Sequence, residues 1–151
     1  MDNSYDEIVE ALQKAYEVLP EGVSLTKGGL GELALAHELD HELVAGDKGA
    51  DAVDHNGLLY EYKVSEKENY NFHHGTRLPT WEETAERISK HWIDIEGAWI
   101  AHRSGMKITK KAYVPTRILL PALLKHFENA KGSQLNKQFT FKNFEALNND
   151  V

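Results

Sequence analysis

Two carboxylates and an ammonium group stand close together in this chain, at spacings that could do chemistry on a phosphate. Asp51 is followed ten residues later by Glu61, and Lys63 comes two residues after that. Carboxylate oxygens are the hard ligands that Mg²⁺ takes, and that ion keeps positions for water and for phosphate oxygens of a substrate. A lysine beside such an ion can orient an attacking water and stabilise charge on a phosphate. The three residues therefore predict metal-assisted hydrolysis of a phosphate ester.

A β-hairpin would bring these three side chains together. Residues 58–64 are rich in apolar and aromatic residues, as strands are, and residues 55–57, His-Asn-Gly, have the composition of a three-residue turn. Such a turn places Asp51 opposite Glu61, and Lys63 shares the face of Glu61 because side chains alternate along a strand. Two facing acids repel each other unless a cation lies between them, so this register favours a metal site.

The remaining pattern predicts an α/β (α+β) fold, a mixed β-sheet flanked by helices, with residues 1–151 forming a single domain. The segment 65–80 is polar and is expected to be irregular, and Thr80 is expected to cap the helix that follows. Helices are predicted at about 5–19, 30–43, 80–91 and 121–131, and strands at 58–64, 98–102, 107–114 and 138–142.

Composition limits the compartment and the chemistry. The chain has no cysteine, which excludes disulfides and thiolate chemistry and favours a reducing environment. No apolar run reaches membrane-spanning length, and the N-terminal residues do not resemble a signal peptide. We therefore expect a cytoplasmic protein with no membrane partner.

The formal net charge of −7 is unevenly distributed. Residues 1–62 carry a net charge of −11 and residues 63–151 carry +4. A protein with a basic face can bind DNA even when its total charge is negative. The alternative is a solvated surface with uneven charge, and the charge pattern alone does not separate the two.

The order Asp-x9-Glu-x-Lys on a hairpin resembles the motif of the PD-(D/E)xK nuclease superfamily, with Ala50 in place of the proline. Within that superfamily, residues 28–145 are most similar to type II restriction endonucleases of the PvuII type, and the resemblance implies a restriction-endonuclease-like fold. The similar features are Gly28-Gly29 before a helix, Gly49-x-Asp51-Ala-Val-Asp54, Tyr60-Glu61-x-Lys63, the His73-His74 pair, Trp99-Ile100 at the start of a strand, and Asn136 before the final strand.

The resemblance implies a Mg²⁺-dependent enzyme, in which Mn²⁺ can substitute, that cleaves double-stranded DNA at a short palindromic site. The products would carry 5′-phosphate and 3′-hydroxyl ends. Asp51, Glu61 and the Tyr62 carbonyl would hold the metal, and Lys63 would position the attacking water. Glu32 is either a further ligand or an acid in the first turn of its helix, favoured there by the helix dipole.

The resemblance also implies how the DNA is read. His73 and His74, with Asn71 in the same segment, would contact base edges in the major groove, and Asn136 would pair with an adenine. A palindromic target implies a homodimer, with the N-terminal helix of residues 1–20 as the contact; the alternative is that its apolar stripe packs on its own core. A restriction enzyme would have a DNA methyltransferase acting on the same site as its partner.

Three other functions fit parts of the sequence. His37, Glu38 and His41 match the H-E-x-x-H signature of zinc proteases, with Glu61 as a third ligand. Against that interpretation, Glu61 lies in a strand-like run and Asp40 puts a charge on a helix where such enzymes normally have none. The other two are a repair or junction-resolving nuclease of the same superfamily and a DNA-binding module without catalysis, although binding alone needs no paired acids.

Overall fold

A computed structural model describes residues 3–21, 23–25, 28–44 and 49–149. Met1 and Asp2 of the predicted N-terminal helix region lie outside the described residues, as do Asp150 and Val151. The helices are α1 (Asn3–Val18), α2 (Gly29–Leu39), α3 (Trp81–Trp92), α4 (Thr116–Asn129) and α5 (Phe141–Ala146), with a 3-10 turn at Leu147–Asn149. The strands are β1 (Glu42–Leu43), β2 (Ala52–Val53), β3 (Leu59–Ser65), β4 (Tyr70–Thr76), β5 (Ile95–Ser104), β6 (Lys107–Pro115) and β7 (Gln134–Phe139).

Five of the strands form one mixed sheet in the order β1-β2-β3-β5-β6. Strands β3 and β5 are parallel, while the other neighbours are antiparallel. A parallel pair needs a crossover connection, and β4 with α3 supplies it here. Strands β4 and β7 pair separately as a two-stranded antiparallel ribbon. This arrangement confirms the predicted mixed class of helices and sheet.

The core has two parts, one on each face of the five-stranded sheet. On one face α2 packs Leu35 and Ala36 against Tyr60 and Tyr62 of β3. On the other face lies a larger cluster that joins α3, α4, α5 and the inner side of the ribbon. Its fully buried members include Phe72, Ile88, Trp92, Ile100, Leu119, Leu123, Phe127, Leu135 and Phe144.

The predicted hairpin is present in the predicted register. Ala52 pairs with Tyr60 and Val53 with Leu59. Gly57 has φ 83°, the left-handed conformation that the turn requires and that glycine adopts without strain. Asp54 holds the turn, because its Oδ1 accepts from the backbone N–H groups of residues 56 and 58.

The prediction that residues 65–80 are irregular holds for residues 66–69 and 77–80 but was wrong for residues 70–76. Residues 70–76 form strand β4, in which Tyr70 and Phe72 are buried and Asn71 and His73 are exposed. The strand has no partner close to it in the sequence. Its pairing partner β7 begins only at Gln134, so local pattern alone did not reveal it.

Two helix boundaries also differ from the prediction. Helix α2 ends at Leu39 rather than Leu43, because Asp40 adopts a left-handed conformation with φ 56° and the chain then enters β1. Helix α4 begins at Thr116, five residues before Pro121, which is accommodated inside the helix. By contrast, the predicted cap of α3 is confirmed, since Thr80 Oγ1 accepts from the N–H of Glu83.

The last strand lies four residues earlier than predicted. It runs over Gln134–Phe139, so Asn136 is inside the strand and does not precede it. The segment after it forms the short helix α5, which Thr140 and Asn143 cap reciprocally. Strand β5 begins at Ile95, three residues before the predicted start, and strand β6 matches its prediction within a residue.

Helix α1 is present, but its apolar stripe does not pack on the core. Tyr5, Ile8, Leu12 and Tyr16 are 68, 54, 48 and 61 % exposed. These side chains recur at helical spacing, so they form one continuous apolar face. The alternative that the stripe packs on its own core is therefore not found. None of the described helices combines the length and apolar character needed to cross a membrane.

Candidate functional site

The hairpin brings Asp51 to the edge of β3, next to Glu61. Asp51 N–H donates to the Tyr60 carbonyl at 2.9 Å, and Asp51 Oδ2 accepts from the Tyr62 N–H at 2.8 Å. The N–H and C=O of one strand residue point to the same side, so the Tyr62 carbonyl lies on the edge of β3 that faces the Asp51 strand. The predicted set of Asp51, Glu61 and the Tyr62 carbonyl therefore lies in one place.

Glu32 joins this acidic cluster from the first turn of α2. Burial, and secondly the charge of Glu61, raise the pKa of Asp51 to about 7. Burial and the charge of Glu61 also raise the pKa of Glu32, and its side-chain hydrogen bond with Asp51 opposes that increase. The charge of Glu61 thus makes ionisation of both Asp51 and Glu32 harder. Glu32 thus lies beside Asp51 and is also an acid of the first turn of α2, so both interpretations of Glu32 fit its position.

Glu61 is the most buried acid of the cluster, with its side chain 11 % exposed. Its Oε1 lies 3.6 Å from Lys63 Nζ, which is also 5.4 Å from the centre of the Phe72 ring. Its Oε2 is buried without any hydrogen-bond partner in the part of the chain that the structure describes. An unpartnered buried carboxylate oxygen costs free energy, so a ligand at this position would be stabilising.

This chemistry fits a divalent cation. A cation would neutralise the crowded carboxylates and would take an oxygen of the buried Glu61 as a ligand. Among the described residues, no group of three or more His, Asp or Glu side chains is arranged to hold a metal ion. Asp51, Glu61 and the Tyr62 carbonyl would therefore be the protein ligands, with water and substrate oxygens completing the shell, as is usual for Mg²⁺.

The H-E-x-x-H residues do not converge with Glu61. His41 lies beyond the end of α2, where its Nδ1 is 2.7 Å from the Tyr62 hydroxyl and its ring stacks on Tyr60. The Tyr62 side chain is on the opposite face of β3 from the Glu61 side chain, because neighbouring strand residues alternate. His37 is exposed, and Glu38 pairs with Lys111 at 3.3 Å. The left-handed Asp40 thus breaks the helical spacing that a zinc site needs.

Three of the four predicted base-contacting residues meet on the outer face of the ribbon. His73 pairs with Asn136 across β4 and β7. Asn136 Oδ1 accepts from Asn71 Nδ2 at 3.2 Å and lies 2.5 Å from His73 Nδ1. All three side chains are exposed, so the ribbon presents an ordered set of amide and imidazole groups to solvent.

His74 lies on the inner side of the same strand. Its Nε2 accepts from the Trp92 indole N–H at 3.2 Å, and its ring contacts Phe127. Burial, followed by the charges of His91 and other neighbours, lowers the pKa of His74 to about 4. The ring is therefore neutral at pH 7 and packed inside. The structure does not bring it to the face that carries His73.

Two residues near the acidic cluster and the ribbon face were not predicted from the sequence. His91, at the end of α3, has its Nε2 3.7 Å from Glu61 Oε2. No motif marks it, because it lies on a helix thirty residues beyond Glu61. Gln138 pairs with Asn71 on the outer face of the ribbon. Its alternation with Asn136 would have revealed it if the start of β7 had been placed correctly.

Comparison with known proteins identifies no family for this chain. No protein-family model matches it, and no curated protein matches it either. The acidic cluster on the hairpin and the polar face of the ribbon are thus the features from which a function can be inferred.

Proposed function

We propose that the protein is a Mg²⁺-dependent type II restriction endonuclease with a restriction-endonuclease-like fold, hydrolysing both strands of DNA at a short palindromic site. One observation carries the proposal: a buried, unpartnered Glu61 Oε2 lies in a cluster of carboxylates, with Lys63 beside it on the same strand. A protein that only binds DNA has no need to bury Asp51 beside Glu61, whose charge raises the pKa of Asp51.

The roles of the hairpin residues follow from their positions. Asp51 and Glu61, with the Tyr62 carbonyl, would hold the cation, which when bound polarises a phosphate oxygen and activates water. Lys63 Nζ, 3.6 Å from Glu61 Oε1, would donate to the attacking water or to the phosphate. Tyr62 N–H donates to Asp51 Oδ2 and so fixes the orientation of the carboxylate that would bind the ion. Attack on phosphorus with loss of the 3′-oxygen gives 5′-phosphate and 3′-hydroxyl ends.

The ribbon of β4 and β7 would read the sequence. A two-stranded ribbon fits the major groove of B-DNA, where amides pair with adenine and imidazole can donate to guanine. The Asn136 amide is held in one orientation by Asn71 and His73, which favours a specific contact. His74 would support β4 from inside by its bond with Trp92 rather than contact a base.

A homodimer would supply two such sites. One hairpin cuts one strand, so a double-strand break at a palindrome needs two copies related by a two-fold axis. The exposed apolar face of α1 is a suitable contact, because burying it against a second copy removes apolar surface from water. A DNA methyltransferase of the same specificity, encoded nearby, would be the expected partner in the cell.

Plasmid digestion tests the proposal directly. The protein is incubated with supercoiled plasmid in Mg²⁺, in Mn²⁺ and in EDTA, beside Lys63→Ala and the control Lys90→Ala, whose side chain is exposed on α3. We expect discrete fragments with either ion, none in EDTA and none from Lys63→Ala. Absence of cleavage with both ions by the folded wild type would refute the proposal. Cleavage confined to branched DNA would indicate a junction-resolving nuclease instead.

A further inference from the structure

The His91 ring closes the side of Glu61 that faces away from Lys63. Lys63 Nζ approaches Oε1, whereas His91 Nε2 approaches Oε2 at 3.7 Å. That separation is too long for a hydrogen bond, and Oε2 has no other partner among the described residues. The Glu61 carboxylate oxygen and the His91 imidazole nitrogen, which can both bind a metal through a lone pair, thus face each other without a hydrogen bond between them.

The surroundings hold the His91 ring in place. It contacts His74 and Trp92 edge to face, with centroid distances of 5.3 and 5.4 Å. On the other side Gly49 has φ 82°, and a Cβ on Gly49 would come within 3.3 Å of the ring atoms Cε1 and Nδ1. The start of the hairpin therefore passes close to the ring where only glycine leaves ordinary space. A ring fixed in this way is prepared to hold a ligand, because little ordering remains to be done.

We propose that Glu61 Oε2 and His91 Nε2 form a site for a second divalent cation, one of borderline softness such as Mn²⁺, Co²⁺ or Zn²⁺. The inference rests on the proposed function and deepens it, since the same carboxylate would join two ions. A carboxylate with an imidazole favours such ions over Mg²⁺ or Ca²⁺, which prefer oxygen ligands alone. The site would then give this protein a preference for such an ion over Mg²⁺.

The distance agrees with coordination of a common ion. Two ligand atoms at about 2.1 Å from a metal lie roughly 3.0 Å apart at a right angle and roughly 4.2 Å apart in line. The observed 3.7 Å falls between these values. Since no described trio of side chains is arranged to hold an ion, water and a phosphate oxygen would complete the shell.

An ion pair is the competing explanation of this contact. A protonated His91 would neutralise Glu61 and would repel a cation. The two explanations predict opposite results when the ring is removed. Loss of a ligand weakens binding of the ion, whereas loss of a competing positive charge leaves binding unchanged or strengthens it.

Metal titration without DNA tests the site. Co²⁺ and, separately, Ca²⁺ are titrated into the full-length protein by calorimetry, and the visible absorption of bound Co²⁺ is recorded. The variants are His91→Ala, His91→Asn and the control His37→Ala, which removes an exposed imidazole elsewhere. We expect both His91 variants to weaken Co²⁺ binding at least tenfold and to change its absorption, with Ca²⁺ affinity within about twofold of wild type.

Unchanged or tighter Co²⁺ binding by folded His91→Asn would overturn the inference, as would loss of Co²⁺ on His37→Ala. Circular dichroism establishes folding, and His91→Asn is used if His91→Ala fails to fold. The proposed function is judged separately by plasmid cleavage in Mg²⁺. If the wild type cuts DNA but binds Co²⁺ no better than the His91 variants, the nuclease proposal stands and the second site falls. If it binds Co²⁺ through His91 but cuts no DNA, the site stands and the nuclease proposal falls.

Discussion

The backbone N–H of Tyr62 donates to the Asp51 side chain across 2.8 Å, joining the two strands of the hairpin where their backbone pairing ends. The bond fixes one carboxylate oxygen beside the buried Glu61. It also sets the Asp51 carboxylate against a neighbouring charge, and burial with that charge raises its pKa to about 7. The bond from Tyr62 opposes that increase, because it stabilises the ionised carboxylate, so the cost in stability comes from burial and from the charge of Glu61.

The first prediction concerns pH. Because its folded pKa is above the ordinary value of 3.8, Asp51 binds more protons in the folded than in the unfolded state between about pH 4 and 7. In EDTA the unfolding free energy should therefore fall as pH rises through this range and then level off. Asp51→Asn should flatten this dependence and raise the melting temperature at pH 8 by roughly 5 °C. Thermal unfolding by circular dichroism at several pH values measures both.

Metal should reverse that loss of stability. A cation binds the ionised carboxylates, so its stabilising effect should grow from pH 6 to pH 8 as Asp51 deprotonates. A Ca²⁺-induced rise in melting temperature that is equal at both pH values, or that persists in Asp51→Asn, would contradict the assigned site.

The second prediction concerns His74. Its folded pKa of about 4 lies below the ordinary histidine value of 6.5, so the unfolded chain binds the additional proton between these values. The unfolding free energy should therefore fall as pH decreases from 6.5 to 4, opposite in sign to the effect of Asp51. His74→Gln retains an acceptor for the Trp92 indole and should be less sensitive to acid. If His74→Gln instead loses sequence-specific binding with unchanged stability, the ring contacts DNA after all.

The third prediction separates reading from cutting. Asn136→Ala removes the acceptor shared by Asn71 and His73, and should weaken binding to the specific site by about 1–3 kcal/mol per lost base contact. Binding to random DNA should change little. Fluorescence anisotropy in Ca²⁺ measures both affinities, with Asn129→Ala on α4 as the matched control. Equal losses on specific and random DNA would show that Asn136 contacts only the backbone or supports the fold.

The fourth prediction concerns assembly. Ile8→Asp with Leu12→Asp places two charges on the exposed apolar face of α1, and should convert a dimer into a folded monomer that makes no double-strand breaks. Lys14→Asp, on the opposite face of the helix, is the control and should remain dimeric. Light scattering at micromolar concentration gives the mass of each. A monomeric wild type that linearises plasmid in one encounter would exclude this assembly.

The sequence was informative where structure is local. The turn residues at 55–57 and the alternation after them were sufficient to predict the register of Asp51 and Glu61, because only eleven positions separate Asp51 from Tyr62. The same reasoning located the cap at Thr80. It failed for β4 and for His91, whose neighbours come from distant parts of the chain. It also failed at Asp40, where a residue other than glycine takes the left-handed conformation that ends α2.

The ribbon has a consequence for the order of folding. Asn71 and Asn136 lie 65 positions apart, so closing that loop costs far more chain entropy than closing the hairpin. The hairpin can form early, whereas the ribbon must wait until α3, β5, β6 and α4 have brought its strands together. A chain released from the ribosome before Gln134 would leave β4 as an unpaired edge, open to aggregation. Such a chain would carry the acids proposed to bind metal but not the surface proposed to select a target.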